Sequence, residues 1–474
     1  MTEPNASAKA TAGQTHRLRW KGGAWSAMAL GLLIAGTAGL ASRGSVSPVA
    51  ATSTGLPTQD PDGAQQAKAS APGSALFSRL PDGPESQLVA AYQALADGQV
   101  ALAFERSQAL ARENPNFALG QMLLADLLAT RAGIPSFLGK PLLDKRSGSA
   151  AAKRAPPHEG LDALRDESSR RLSALLERPA AGTLPREFIA LAPGTGHAVA
   201  VDASRSRLYL FSNGPNGLTL ERDFYVSLGK LGVDKRAEGD LRTPLGVYWI
   251  TSALAAAQID PRFGRAALGF NYPNALDRSE GRKGTGLFVH GVPEDTLARL
   301  PFSTDGCVAL ANADVLYLES RLTALHTPVV IARQLDWVPR EAARQDAATF
   351  RQAYDAWDRA RRQGDPLLRQ AWYDKAANVE PNTADSQAAR HDLSLIGWYG
   401  DAARMMVVTG KQDGAGAGQP AVTVRQYWVE RDAKWRVVFE GKVPDAVHAG
   451  RRGSPGRIAA ATSAQANRSQ RQPA

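Results

Sequence analysis

The sequence predicts a multidomain chain: an α-helical N-terminal region, a mostly-β central domain and an α+β C-terminal domain. Three observations predict it. Apolar residues recur at spacings of three and four from about 78 to 178. The period shifts toward two from about 186 to 335. After 341, one amphipathic helix precedes several long alternating runs. The 474 residues suffice for two to four domains, and 43% hydrophobic residues can supply their cores.

The N-terminus opens with basic residues (Arg17, Arg19, Lys21), followed by the uncharged run "AWSAMALGLLIAGTAGLA" ending at Ala41. A positive flank, an apolar stretch and small residues at its end predict a secretory signal or an uncleaved signal anchor over residues 1–45, with 25–41 as the anchor. Either places the bulk of the chain outside the cytoplasm, as a periplasmic protein. Residues 46–77 are rich in Ser, Ala, Pro and Gly and read as a flexible linker.

Residues 78–182 read as a helical region. Ala103, Ala109 and Pro115 sit roughly where a tetratricopeptide unit places small residues and its terminal proline, so one TPR-like hairpin is expected, not an array. The central domain spans 186–335. "HAVAVDASRSRLYLFSNG" is a hairpin, "LTLERDFYVSLG" and "GVYWITSAL" are strands, and "GTGLFVHGV" is a strand running into a loop. "NADVLYLESRLTAL" is a helix with Asn312 as N-cap, and "TPVVIARQ" is a closing strand. In the C-terminal domain, 342–445, a helix carries Phe350, Tyr354 and Trp357 on one core-facing side, before three long antiparallel strands. The basic tail 446–474 lacks apolar periodicity and is expected to be disordered.

The net charge is +10, but the basic residues are scattered and not interleaved with aromatics, which argues against a nucleic-acid partner. Cys307 is the only cysteine. In an exported chain an odd thiol cannot form an internal disulfide, so it is a reactive group or a small buried hydrophobe. His290, seventeen residues earlier, lies at a strand end before Gly291. An imidazole can take the thiol proton to give a thiolate–imidazolium pair, and the thiolate can attack a carbonyl to form a thioester. The N–H groups of Gly306 and Cys307, leading toward a helix, are candidate oxyanion donors. This spacing alone does not separate a catalytic pair from a buried thiol near a structural histidine. The papain-type surroundings are absent, and no Cys/His cluster suggests a metal.

"VHG" at 289–291 followed by "STDGCVAL" at 303–310 resembles the active-site signature of the L,D-transpeptidase (YkuD-like) catalytic domain. "SLGKLGVDKRAEGDLRTPLGVYWI" at 227–250 is similar to a second stretch of that family, through Gly239, Asp240, Thr243, Pro244 and Gly246. Many members carry Arg two residues after the cysteine, where this chain has Ala309. That variant resembles the YafK-like subgroup and the L,D-carboxypeptidases that shape helical cells, which often append an NTF2-like domain. The C-terminal pattern fits such a domain.

The resemblance implies a peptidoglycan-remodelling enzyme acting on tetrapeptide stems without metal or organic cofactor. Cys307 would be the nucleophile and His290 the base, oriented by a backbone carbonyl. Gly306 would help form the oxyanion hole, with Thr304 and Gly291 shaping the loop. Lys230 and Arg242 are candidates to meet substrate carboxylates. The acyl group would pass to an amine (transpeptidase) or to water (L,D-carboxypeptidase), or the enzyme would attach or release an outer-membrane lipoprotein. A homodimer through the NTF2-like domain is a further expectation. The non-enzymatic alternative is a wall-binding scaffold that retains the fold.

Overall fold

A computed structural model of the chain describes residues 83–133, 161–176, 178–297, 299–380, 383, 386–399, 404–414 and 419–443. The signal or anchor segment, the linker and the basic tail lie outside them. Among the described residues no helix is long and apolar enough to cross a membrane.

Helices α1 (Pro84–Ala96), α2 (Val100–Glu113), α3 (Ala118–Arg131) and α4 (Leu161–Leu176) form the N-terminal region. Leu88, Leu110, Phe117, Leu119 and Leu123 are its core. The "NPN" stretch ends α2, and Asn114 N–H caps it by donating to Leu110 O at 2.9 Å. This region docks on the central sheet through buried charge. Arg207 donates to Glu85 of α1 and to Asp223, both at 2.7 Å. A buried guanidinium costs several kcal/mol unless paired, and two carboxylates offset that here. Arg171 of α4 stacks 3.7 Å from the Tyr225 ring centroid.

The strands follow: β1 (Thr183–Pro185), β2 (Phe188–Ala190), β3 (His197–Asp202), β4 (Arg207–Gly214), β5 (Gly217–Tyr225), β6 (Leu228–Gly229) and β7 (Gly246–Ala255). Next come β8 (Ala266–Phe270), α5 (Ala275–Ser279), β9 (Phe288–His290), β10 (Phe302–Thr304), β11 (Val308–Ala309), α6 (Asn312–Arg321) and β12 (Pro328–Ala332). Eight of these strands form one sheet in the order β11-β9-β8-β7-β12-β3-β4-β5. The expected hairpin is β3–β4, turning at Ser206 with φ 50°. The strand expected to close the domain, β12, instead lies mid-sheet, parallel to β3 and antiparallel to β7.

Alternation along β7 gives the sheet two apolar faces. Tyr248 and Ile250 pack with Leu268, Val289 and Cys307. Val247 and Trp249 face the other way, against Ile396, Val407, Tyr427 and Val429 of the C-terminal domain. That domain comprises β13 (Trp337–Pro339), α7 (Arg340–Asp346), α8 (Ala348–Gln363), α9 (Leu368–Trp372), β14 (Tyr373–Val379), β15 (Arg390–Tyr399), β16 (Arg404–Gln412), β17 (Val422–Arg431) and β18 (Lys434–Lys442). Phe350 and Trp357 of α8 stack edge-on against Trp428 as core, at 5.6 and 5.5 Å. The second sheet has the order β14-β18-β17-β16-β15-β2. Strand β2, expected within the central domain, thus pairs with β15 across some two hundred residues of sequence.

Candidate active site

His290 closes β9 and Cys307 immediately precedes β11, its parallel neighbour. Val308 lies opposite Val289, and Leu310 N–H donates to His290 O at 2.8 Å. The ladder therefore brings the two expected catalytic residues onto adjacent strands. His290 Nδ1 lies 2.6 Å from Gly291 O. A carbonyl only accepts, so Nδ1 carries the hydrogen and Nε2 keeps the basic lone pair.

Both side chains are buried. Burial pushes the His290 imidazole down to about 4, against the pull of the Gly291 carbonyl, with the charges of Arg299 and Arg262 acting in the same direction as burial. Burial pushes the Cys307 thiol up to about 11. The resting pair is therefore a neutral thiol beside a neutral imidazole, not the thiolate–imidazolium pair expected from residue types. The thiol donates weakly to Gly286 O, at 3.8 Å. Because the thiolate forms as pH rises, alkylation of Cys307 by iodoacetamide should accelerate about tenfold per pH unit from 7 to 10 without levelling off. A plateau near pH 6 to 7 would show a preformed ion pair and contradict this.

Thr304 fixes the loop before Cys307. Its hydroxyl donates to Cys307 O at 2.7 Å and accepts from Gly306 N–H at 3.1 Å. The Gly306 N–H, expected in an oxyanion hole, is thus committed to Thr304. Nor does a helix begin at Cys307. The strand β11 intervenes, and α6 starts at Asn312. Gly306 is required for another reason: its φ is 126°, and a Cβ there would sit 2.6 Å from Arg242 O.

The "GDLRTP" stretch packs against this turn, with Arg242 O facing Gly306. Asp240 accepts from Lys235 Nζ and Arg236 N–H, both at 2.7 Å, from Ala237 N–H at 3.0 Å and from Arg242 N–H at 3.1 Å. Partial burial pushes its carboxyl up, but these donors outweigh it and hold it below the usual range. Thr243 Oγ1 accepts from Gly229 N–H at 2.9 Å. Arg242 Nη1 donates to Val233 O at 3.0 Å, and Lys230 pairs with Asp305 at 2.9 Å. Both candidate substrate cations therefore already hold loop partners. His197 faces Glu221 at 3.5 Å on β3, and His326 is exposed beyond α6.

Sequence reasoning missed three residues. Asn312, expected to cap α6, is its first helical residue; Ala311 is the cap. The Asn312 side chain turns back instead. Oδ1 accepts from Arg265 N–H at 3.1 Å and Val292 N–H at 3.2 Å, and Nδ2 donates to Val292 O at 2.8 Å. Gly291 leaves room for it, since a Cβ there would strike Asn312 Oδ1. Asn312→Ala should lower stability by about 2 kcal/mol and reduce kcat more than it raises KM. Chemical denaturation and turnover measurements test this, and unchanged values in both would refute it. The other two are Arg299 and Arg262, whose charges reach His290. No short motif marks any of the three. Among the described residues, no three His, Cys, Asp or Glu side chains gather in a way that could hold a metal.

Residues 196–331 match the YkuD family model, the L,D-transpeptidase catalytic domain. This segment is an L,D-transpeptidase domain. It begins at 196, after β2 has left for the other sheet. Such domains act on peptidoglycan stem peptides. Among solved structures, the chain is similar to Bd1075 of Bdellovibrio bacteriovorus, with 18% identity and a TM-score of 0.48 over 56% of this chain and 99% of that one. It is also similar to the helical cell shape determining protein Pgp2 of Campylobacter jejuni, with 18% identity and a TM-score of 0.45 over 54% of this chain and 95% of that one. Curated proteins give no match.

Proposed function

We propose that the L,D-transpeptidase domain makes this chain an exported cysteine acyltransferase of peptidoglycan tetrapeptide stems. The observation that carries this reading is the Cys307–His290 placement on neighbouring strands, with Nδ1 tied to Gly291 O so that Nε2 is free as the base. Nε2 takes the thiol proton as Sγ bonds to the carbonyl carbon at the L-centre of the third stem residue, a meso-diaminopimelate. With Gly306 N–H committed, the Cys307 N–H is the backbone donor for the oxyanion. The imidazolium then protonates the leaving amine, the C–N bond breaks, and D-alanine departs from a thioester.

Arg299 is our candidate for the stem carboxylate. It lies in the loop after Val292, and its charge acts on both Cys307 and His290. Among the described residues it has no carboxylate partner; one Nη donates to Arg262 O at 3.4 Å. Ala309, buried at the position where many relatives carry Arg, supplies no cation. That observation favours a second reading, in which water accepts the acyl group and the enzyme is an L,D-carboxypeptidase. We read α7–α9 with β14–β18 as an NTF2-like unit and α1–α2, which end just before Pro115, as a single TPR-like hairpin followed by α3.

Incubation with tetrapeptide muropeptides and mass analysis tests the proposal. A cross-linked dimer marks the transferase and a tripeptide the carboxypeptidase. Absence of D-alanine release together with absence of a thioester adduct would overturn both.

A further inference from the structure

Arg425 of β17 is 7% exposed, and among the described residues no carboxylate pairs with it. Its guanidinium lies 3.4 Å from the Trp249 ring centroid, and its Nε donates to Thr409 Oγ1 at 3.1 Å. Burial pushes it down to about 10, with only the Tyr427 hydroxyl acting to raise it. A buried guanidinium of this kind is costly unless an anion meets it. Beside it lies a cavity of about 370 Å³ between the two sheets, lined by Trp249, Tyr427 and Phe439 and rimmed by Lys442 and Arg278. Among the described residues, three cations thus line the cavity and no carboxylate does. It is within the roughly 300–1,000 Å³ usual for small-molecule pockets. Trp249 points away from Tyr248, Ile250 and Cys307, so the cavity lies on the far side of the central sheet from the thiol.

We propose that this cavity is a second ligand site, taking a small organic carboxylate with an apolar body, about the size of one or two amino acids. The carboxylate meets the planar Arg425 fork, which suits bidentate pairing, while the aromatic walls take the apolar portion. Lys442 at the rim adds attraction. A bound ligand touches β7 of the L,D-transpeptidase domain and β17–β18 of the C-terminal domain together, so its occupancy couples the two sheets.

The test titrates the full chain with benzoate, N-acetyl-D-alanine and inorganic phosphate, following tryptophan fluorescence and melting temperature. Saturable binding of at least one carboxylate below about 10 mM is expected, with a rise in melting temperature. Arg425→Met should weaken that binding by about 10- to 100-fold, and Lys442→Ala by about threefold. The same titration on Cys307→Ala should match wild type, which separates this site from the catalytic one. Should Arg425→Met fail to fold, Lys442→Ala still decides. No saturable carboxylate binding, binding of phosphate alone, binding unchanged in both rim and fork variants, or binding lost in Cys307→Ala would each overturn the proposal. Release of D-alanine is not a readout here, so the proposed reaction stands or falls separately.

Discussion

Cys307→Ala is expected to cut D-alanine release from tetrapeptide muropeptides by about 10⁴-fold or more, and to abolish the thioester adduct seen by mass spectrometry. No other thiol exists in the chain to substitute for it. The side chain sits at the edge of the apolar core beside Leu287 and Phe288, so losing one sulfur should leave the fold intact. Unaltered melting with abolished chemistry is the expected pair of results. Cys307→Ser should be almost as inactive, because a hydroxyl is a far weaker nucleophile beside an imidazole held at about 4. Undiminished turnover in Cys307→Ala would remove the site assignment altogether.

Gly306→Ala is expected to reduce turnover by about 10²- to 10³-fold while leaving the chain folded. Two effects combine. An alanine at φ 126° carries about 1–3 kcal/mol of backbone strain. Its Cβ would also meet Arg242 O at 2.6 Å, and that carbonyl belongs to backbone held by Asp240 and cannot swing aside. Relief comes from moving the Thr304–Cys307 turn, which displaces Sγ relative to His290. A shift of about 1 Å in a reacting atom can cost 10²-fold. Parallel measurement of kcat, KM and melting temperature decides the matter: a full-activity variant would show that the turn can relax without moving the thiol.

The parts of this architecture that local pattern can encode were readable in advance. Helical spacing exposed the aromatic side of α8, and period-two runs exposed most strands of both sheets. Cys307 and His290 were legible because one is unique and both sit in short signatures flanked by glycine. Interactions between distant segments were not. Strand β2 has only three residues, too short to display alternation, and its partner is near 395. The resemblance implied that Thr304 shapes the loop, but not that its hydroxyl takes up the Gly306 N–H expected for the oxyanion. Asn312 looked like a cap because Asn before an apolar helix usually is one, and tertiary contact with Val292 overrode that preference. Arg299 and Arg425 carry no motif; their significance lies in what surrounds them, and burial is invisible in a linear string.

Peroxide and disulfide exchange both require the thiolate, and a thiol held near 11 is ionised to only about one part in 10⁴ at pH 7. An unpaired cysteine in an oxidising compartment is otherwise consumed by oxidants and stray disulfides. The apolar setting that keeps the Cys307 thiol protonated also gives it a long chemical lifetime, and under the proposed reaction it would be the bound stem peptide that draws out the thiolate.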